Sequence, residues 1–198
     1  MDRPAAENDI KMIRDIMERS TKYTHFTGLS GVLSGLFALA GSYATFWIYV
    51  YVPTSEQAIW TLATWALVFI LAVVVDFALA ARDAKKQGTT ILNPASKQVI
   101  LAVLPGVFAA FIIAFAVLIY APSDLIPGIL AIGYGSALCS AGMFSTKEVR
   151  IYGLVQLVTG TIALLFFSKL PYSLFTMAVC FGLYQILFGI WVAVKCRR

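Results

Sequence analysis

Charge is scarce in this sequence: only 13% of its 198 residues are Asp, Glu, Lys or Arg, about half the share of a soluble domain. With 60% of residues hydrophobic, that shortage argues against a water-solvated globule and makes lipid the expected solvent. Histidine is rarer still. The single one, His25, cannot assemble a metal or haem site by itself, and beside Tyr23 and Phe26 it reads as an anchor at the headgroup level. Three cysteines, Cys139, Cys180 and Cys196, show neither CxxC spacing nor clustering, so they are expected as free thiols. Also missing are GxSxG, a Walker-type loop, HExxH and paired carboxylates inside the apolar runs, so neither an enzyme nor a cofactor is expected. Residues 1–24 mix both charge signs and contain no apolar core ahead of a small-residue cleavage site, which speaks against a cleavable signal.

What is present is a set of long apolar runs. They fall at about 27–52, 58–81, 99–120, 125–144, 151–167 and 172–194, separated by segments rich in Pro and polar residues. Roughly 20 apolar residues cross the hydrocarbon core as a helix, so the expected fold is all-α, a polytopic membrane protein with six transmembrane helices. The domain reading is a bundle over 25–195, preceded by residues 1–24 and followed by a basic tail, 196–198. Orientation follows from the basic residues. With both termini cytoplasmic, the inside segments hold Arg3, Lys11, Arg14, Arg19 and Lys22, then Arg82, Lys85, Lys86 and Lys97, then Lys147 and Arg150, then Lys195, Arg197 and Arg198. Of the 15 basic residues that leaves only Lys169 outside, the asymmetry expected of cytoplasmic loops. The net charge of +5 thus has a topological origin, and no soluble body remains to offer nucleic acid a basic groove.

Ahead of the first run, Ile10, Ile13, Ile16 and Met17 recur at helical spacing among charges, which predicts a short amphipathic helix capped by Asn8 or Asp9. Such a helix lies at the headgroups or docks under the bundle, or else offers a handle to a partner or a second copy.

Within the runs, an octet Gly-Leu-x5-Gly occurs at Gly28 to Gly35, Gly153 to Gly160 and Gly182 to Gly189. Glycines seven apart share a helix face, and with Gly31 they form grooves that let helix backbones approach. The fourth run, dense in Gly, Ala and Ser, reads as a central helix. Intramembrane polar groups are costly and therefore informative. Gln156 and Gln185 sit at matching octet positions; they either hydrogen-bond across a helix interface or line a polar cavity with Ser34, Thr159, Ser136 and Ser140. Asp76 is the one carboxylate well inside a run. It either reaches an interface by snorkelling or serves as a proton or cation ligand. Pro105-Gly106 is a candidate hinge in the third run.

The stretch from Met17 through Tyr23-Thr-His-Phe-Thr-Gly-Leu-Ser-Gly31 to Gly41 resembles the opening of a family of small multi-pass membrane proteins of Bacteroidetes and related bacteria. The resemblance continues in Ala81-Arg-Asp-Ala-Lys-Lys-Gln-Gly88, Tyr152 to Gly160 and Phe181 to Ile190. It implies a bacterial cytoplasmic membrane, and because the family carries no assigned activity it lends no functional residues.

Two functions are compatible with these features. The first is a non-enzymatic accessory, sensory or assembly protein whose partners are the lipid bilayer and another membrane protein or itself, contacted through the basic face and the N-terminal helix. The second is a small channel or transporter with a polar cavity in the cytoplasmic half. A dry, glycine-packed centre favours the first, and water-accessible Asp76, Gln156 and Gln185 side chains around a cavity favour the second.

Overall fold

A computed structural model of the chain describes residues 28–86, 94–120, 123–167, 169 and 172–195. The segment expected to form an N-terminal amphipathic helix, His25 and Cys196 lie outside the described residues. The fold is all-α, with no strand among the described residues. Its helices are α1 (Gly28–Tyr51), α2 (Thr54–Lys86), α3 (Pro94–Tyr120), α4 (Ile126–Ala141), α5 (Lys147–Phe166) and α6 (Tyr172–Lys195), with a 3₁₀ turn at Ser123–Leu125.

All but α4 are long and apolar enough to cross a membrane. With 16 residues, α4 rises about 24 Å, short of the roughly 30 Å of hydrocarbon. Pro127, its second residue, suits a first turn because its missing N–H would have no helical partner. The helix ends where the N–H groups of Gly142, Met143 and Phe144 turn back onto Leu138, Ser140 and Ala141. The apolar run read from the sequence, 125–144, is therefore longer than the helix within it.

The opposite holds for α2, which extends past its apolar run 58–81 at both ends. Pro53 opens the helix by accepting from the N–H groups of Glu56 and Gln57. The Gln57 side chain then donates to the carbonyls of Val52 (2.9 Å) and Tyr49 (3.3 Å), capping the end of α1. Polarity at the ends of this run marks where apolar solvent stops, and a helix need not stop there. Pro105 lies within a continuous α3, and Gly106 is packed against Ala137, where a Cβ would come within 3.1 Å of the alanine methyl. Its role in the fold is close approach to α4.

Small residues fill the interior while large apolar ones face outward. Ala131, Ala137, Ala141 and Cys180 are fully buried, whereas Leu67, Phe108, Phe115 and Leu165 are exposed. That inversion suits an apolar solvent, where helices associate through close backbone contact and outward leucines cost nothing.

The glycine octets show how. Gly28 lies against Gly189 and Gly35 against Gly182, so the first and third octets form one antiparallel seam between α1 and α6. The second octet lies on α5 and meets α4, with Gly153 against Gly135 and Gly160 against Ala131. Gly133 and Gly106 in turn close α4 on α3. Two three-helix units result: α2, α1 and α6 in one, α3, α4 and α5 in the other. Successive helices alternate in direction, which brings Arg82, Lys85, Lys86, Lys97, Lys147, Arg150 and Lys195 to one end, called here the basic end.

Candidate functional site

The two units meet along a seam unlike those inside them. One face of α5 presents Glu148, Tyr152, Gln156 and Thr159, spaced three or four residues apart. Each has a polar partner on α6: Glu148 pairs with Lys195, Tyr152 donates to Gln185 Oε1 (2.5 Å), Gln156 Nε2 donates to the Cys180 carbonyl (3.0 Å), and Thr159 meets the Tyr184 hydroxyl (3.4 Å). Glycine shapes the seams within a unit. Hydrogen bonds shape the seam between units.

This polar seam separates two cavities. Toward the basic end lies a cleft of about 120 Å³, lined by Ser30, Asp76, Tyr134, Tyr152, Gln185 and the backbone of Gly28 and Gly189 among others. Toward the opposite end lies an apolar crevice of about 840 Å³ between α1, α5 and α6, walled by residues such as Leu39, Phe46, Ile162, Phe175 and Val179. Gln156 is wholly buried between them.

Asp76 reaches the cleft from α2. It is exposed, and Ser34 donates to its Oδ1 at 3.4 Å with Ser30 as a second hydroxyl partner. No lysine or arginine among the described residues pairs with it. Six residues separate it from Arg82, placing it about 9 Å inward from that charge along the helix. Across the cleft stand Tyr134 of α4 and Tyr152 of α5, the latter stacked on Phe188 with ring centroids 4.5 Å apart. Three helices of one unit and two of the other thus converge on this cavity.

Known families, characterised proteins and solved structures offered no match to this chain. The geometry alone carries the reading.

Of the residues singled out from the sequence, Asp76 and Gln185 come together in the cleft, with Ser34 bonded to the carboxylate. Gln156 does not line it; this residue forms the contact between the two cavities. Ser136 and Ser140 are removed from the site by their own helix, donating to the carbonyls of Gly133 (2.8 Å) and Ser136 (3.1 Å). A serine inside a helix satisfies its hydroxyl this way at little cost, so it need not seek a cavity. Cys139 and Cys180 are free thiols. No metal-holding group of three His, Cys, Asp or Glu residues occurs among the described residues.

Sequence reasoning missed Tyr134, Tyr152 and the Glu148–Lys195 pair. The spacing of Glu148, Tyr152, Gln156 and Thr159 on one helical face was available as a signal, but tyrosine in an apolar chain reads first as an interfacial anchor. The shape of α6 was not readable: it is α-helical to Met177, π-helical over Ala178–Leu183 and α-helical again from Tyr184. In a π turn each N–H reaches back five residues, as Tyr184 does to Val179. The Cys180 carbonyl that receives Gln156 lies in this segment.

At the basic end, the Lys195 hydrogen bond holds the Glu148 carboxyl below its ordinary value of 4.5. A depressed folded-state value means the pair stabilises the protein above the ordinary glutamate range and ceases to do so as pH falls through the folded-state value. Because the Lys195 side chain is 61% exposed, solvent and salt screen the pair. Glu148→Gln is expected to cost no more than about 1 kcal/mol at neutral pH and nothing at pH below that range. Thermal melts of both proteins across pH 3 to 7 in detergent test this, and a difference that grows on acidification contradicts it.

Proposed function

We propose that this chain is a six-span protein of the bacterial cytoplasmic membrane, termini inside, that moves a small polar solute through the cleft between its two three-helix units. One observation carries the reading: Asp76, the carboxylate deepest in an apolar helix, opens onto a cavity at the inter-unit seam and pairs with no base among the described residues. An intramembrane charge is expensive unless wet or paired with a ligand, so its retention at such a cavity speaks for a transport pathway. The asymmetry of the seams supports the same view. Glycine locks helices within each unit, while the seam between units is a narrow polar stripe flanked by a cleft on one side and a crevice on the other. Rocking one rigid unit against the other about Gln156 would close one cavity as it opens the other, the movement that alternating access requires.

A scaffold would want a dry centre packed throughout by glycine. Here glycine packing stops at the boundary of each unit. The orientation rests on the basic end facing the cytoplasm, and the 16 residues of α4 complete a sixth span together with the turns that flank it.

The test is uptake by proteoliposomes holding the full chain, using radiolabelled sodium, rubidium, methylammonium and glycine. At least one solute is expected to accumulate above the level of empty liposomes, and Asp76→Asn is expected to return that flux to background. Leu154→Phe, on the exposed face of α5, should leave it unchanged. Flux that survives Asp76→Asn would rule out the proposed pathway.

A further inference from the structure

Resting on that reading of the cleft, we infer that its ligand is a small primary ammonium ion, held by the Asp76 carboxylate and the surrounding hydroxyls against the aromatic wall. The charge argument comes first. The cleft carries one carboxylate with no basic partner among the described residues, so a bound cation neutralises it where an anion or zwitterion would set a second negative group beside it. Divalent metals are poorly served, because calcium takes six to eight oxygen ligands and magnesium needs near-octahedral oxygens, usually with more than one carboxylate. Among the described residues that line the cleft, no acidic, histidine or cysteine side chain accompanies Asp76.

Among monovalent cations, the acceptors and the rings discriminate. Besides the carboxylate, the cleft offers the oxygens of Ser30 and Tyr134, each able to accept from an N–H. A primary ammonium has three donors on one side and a carbon on the other. The carbon side meets Tyr134, Tyr152 and Phe188, an aromatic group that attracts an organic cation through the ring faces it leaves free, and that would poorly replace the water shell of sodium. Volume bounds the size. A cavity of about 120 Å³ equals about four waters in liquid volume, enough for a few heavy atoms and too small for a long side chain.

The Gln185 amide sets the geometry of this wall. Its Oε1 accepts from Tyr152 at 2.5 Å, and Tyr152 meets Tyr134 edge-to-face, so one residue of α6 steadies two rings of the opposite unit. It is a positioning residue for the cleft, acting through the tyrosines.

Equilibrium binding of radiolabelled methylammonium to the full chain in lipid nanodiscs tests the inference without requiring flux. Saturable binding is expected, weakened at least tenfold by Asp76→Asn and by less than tenfold by Asp76→Glu, which keeps the charge. On the wild-type protein, where folding is not in question, sodium and tetramethylammonium should compete at least tenfold less well than methylammonium, because one lacks the carbon face and the other the N–H donors. Absence of saturable binding to wild type, or equal competition by either ion, overturns the assignment. The two readings separate cleanly. Methylammonium binding without any flux would sink transport and leave the ligand assignment standing, whereas Asp76-dependent flux of another solute with no methylammonium binding would do the reverse.

Discussion

Replacing Gly135 by leucine is expected to prevent recovery of folded protein, and replacing it by alanine to lower stability by about 1–3 kcal/mol, the usual cost of overpacking. The expectation comes from what surrounds this position. A Cβ on Gly135 would stand 2.5 Å from the backbone N of Leu157 and 2.8 Å from both the Leu157 Cα and the Gly153 carbonyl oxygen. These are main-chain atoms of α5, and they cannot swing aside as a side chain tip can. Relief therefore requires the whole of α5 to move away from α4. That would also open the contacts of Gly153 with Cys139 and of Gly160 with Ala131, since all lie on one antiparallel seam. It would further displace Tyr152, one residue before Gly153, from the Gln185 contact. By contrast, Leu154 is exposed, and Leu154→Phe is expected to fall within about 0.5 kcal/mol of wild type. Size-exclusion behaviour and thermal unfolding in mild detergent separate these outcomes. Full stability of Gly135→Leu would show that the α4–α5 seam is looser than described.

How much of this was legible beforehand varies with the physics behind each feature. The helices were readable because hydropathy reports solvent, and six apolar runs need six elements. Their ends were less readable: Thr54 to Gln57 look like a loop by polarity, yet Pro53 and the Gln57 side chain make them the first turn of α2. The octet glycines were recognisable as packing surfaces, but which helices they join depends on tertiary arrangement, and the pairing of the first octet with the third is set by the antiparallel course of α1 and α6. Asp76 stood out because a carboxylate inside a long apolar run demands an explanation. Ser136 and Ser140 looked equally polar in composition, and only the local carbonyls decided that they turn back on their own helix. The π segment left no trace, since Ala178 to Leu183 read as ordinary membrane helix and the register shift depends on what α6 packs against.

The seam between the units makes one further prediction. Gln156→Leu is expected to reduce flux through the protein by a factor of about 5 to 150 while leaving methylammonium binding within a few-fold of wild type. Gln156 is wholly buried, its Nε2 donates to the Cys180 carbonyl, and its Oε1 has no partner. Leucine fills the same space and removes that orphaned oxygen, which offsets part of the loss. It leaves the Cys180 carbonyl without its side-chain donor, and an unpaired buried group costs about 1–3 kcal/mol. Where that cost falls decides the effect on function. In the described state Gln156 joins α5 to the π segment of α6 between a polar cleft and an apolar crevice, so its hydrogen bond stabilises this arrangement of the two units specifically. Losing it shifts the balance between arrangements by the same 1–3 kcal/mol, the 5- to 150-fold range given above. The Asp76 cleft lies a full turn nearer the basic end, around Tyr152 and Gln185, and retains its own hydrogen bonds. Binding and flux should therefore part company in this variant, as they should not in Asp76→Asn. Equal loss of both would place Gln156 in the binding site itself, and loss of neither would mean that the units do not move about this contact.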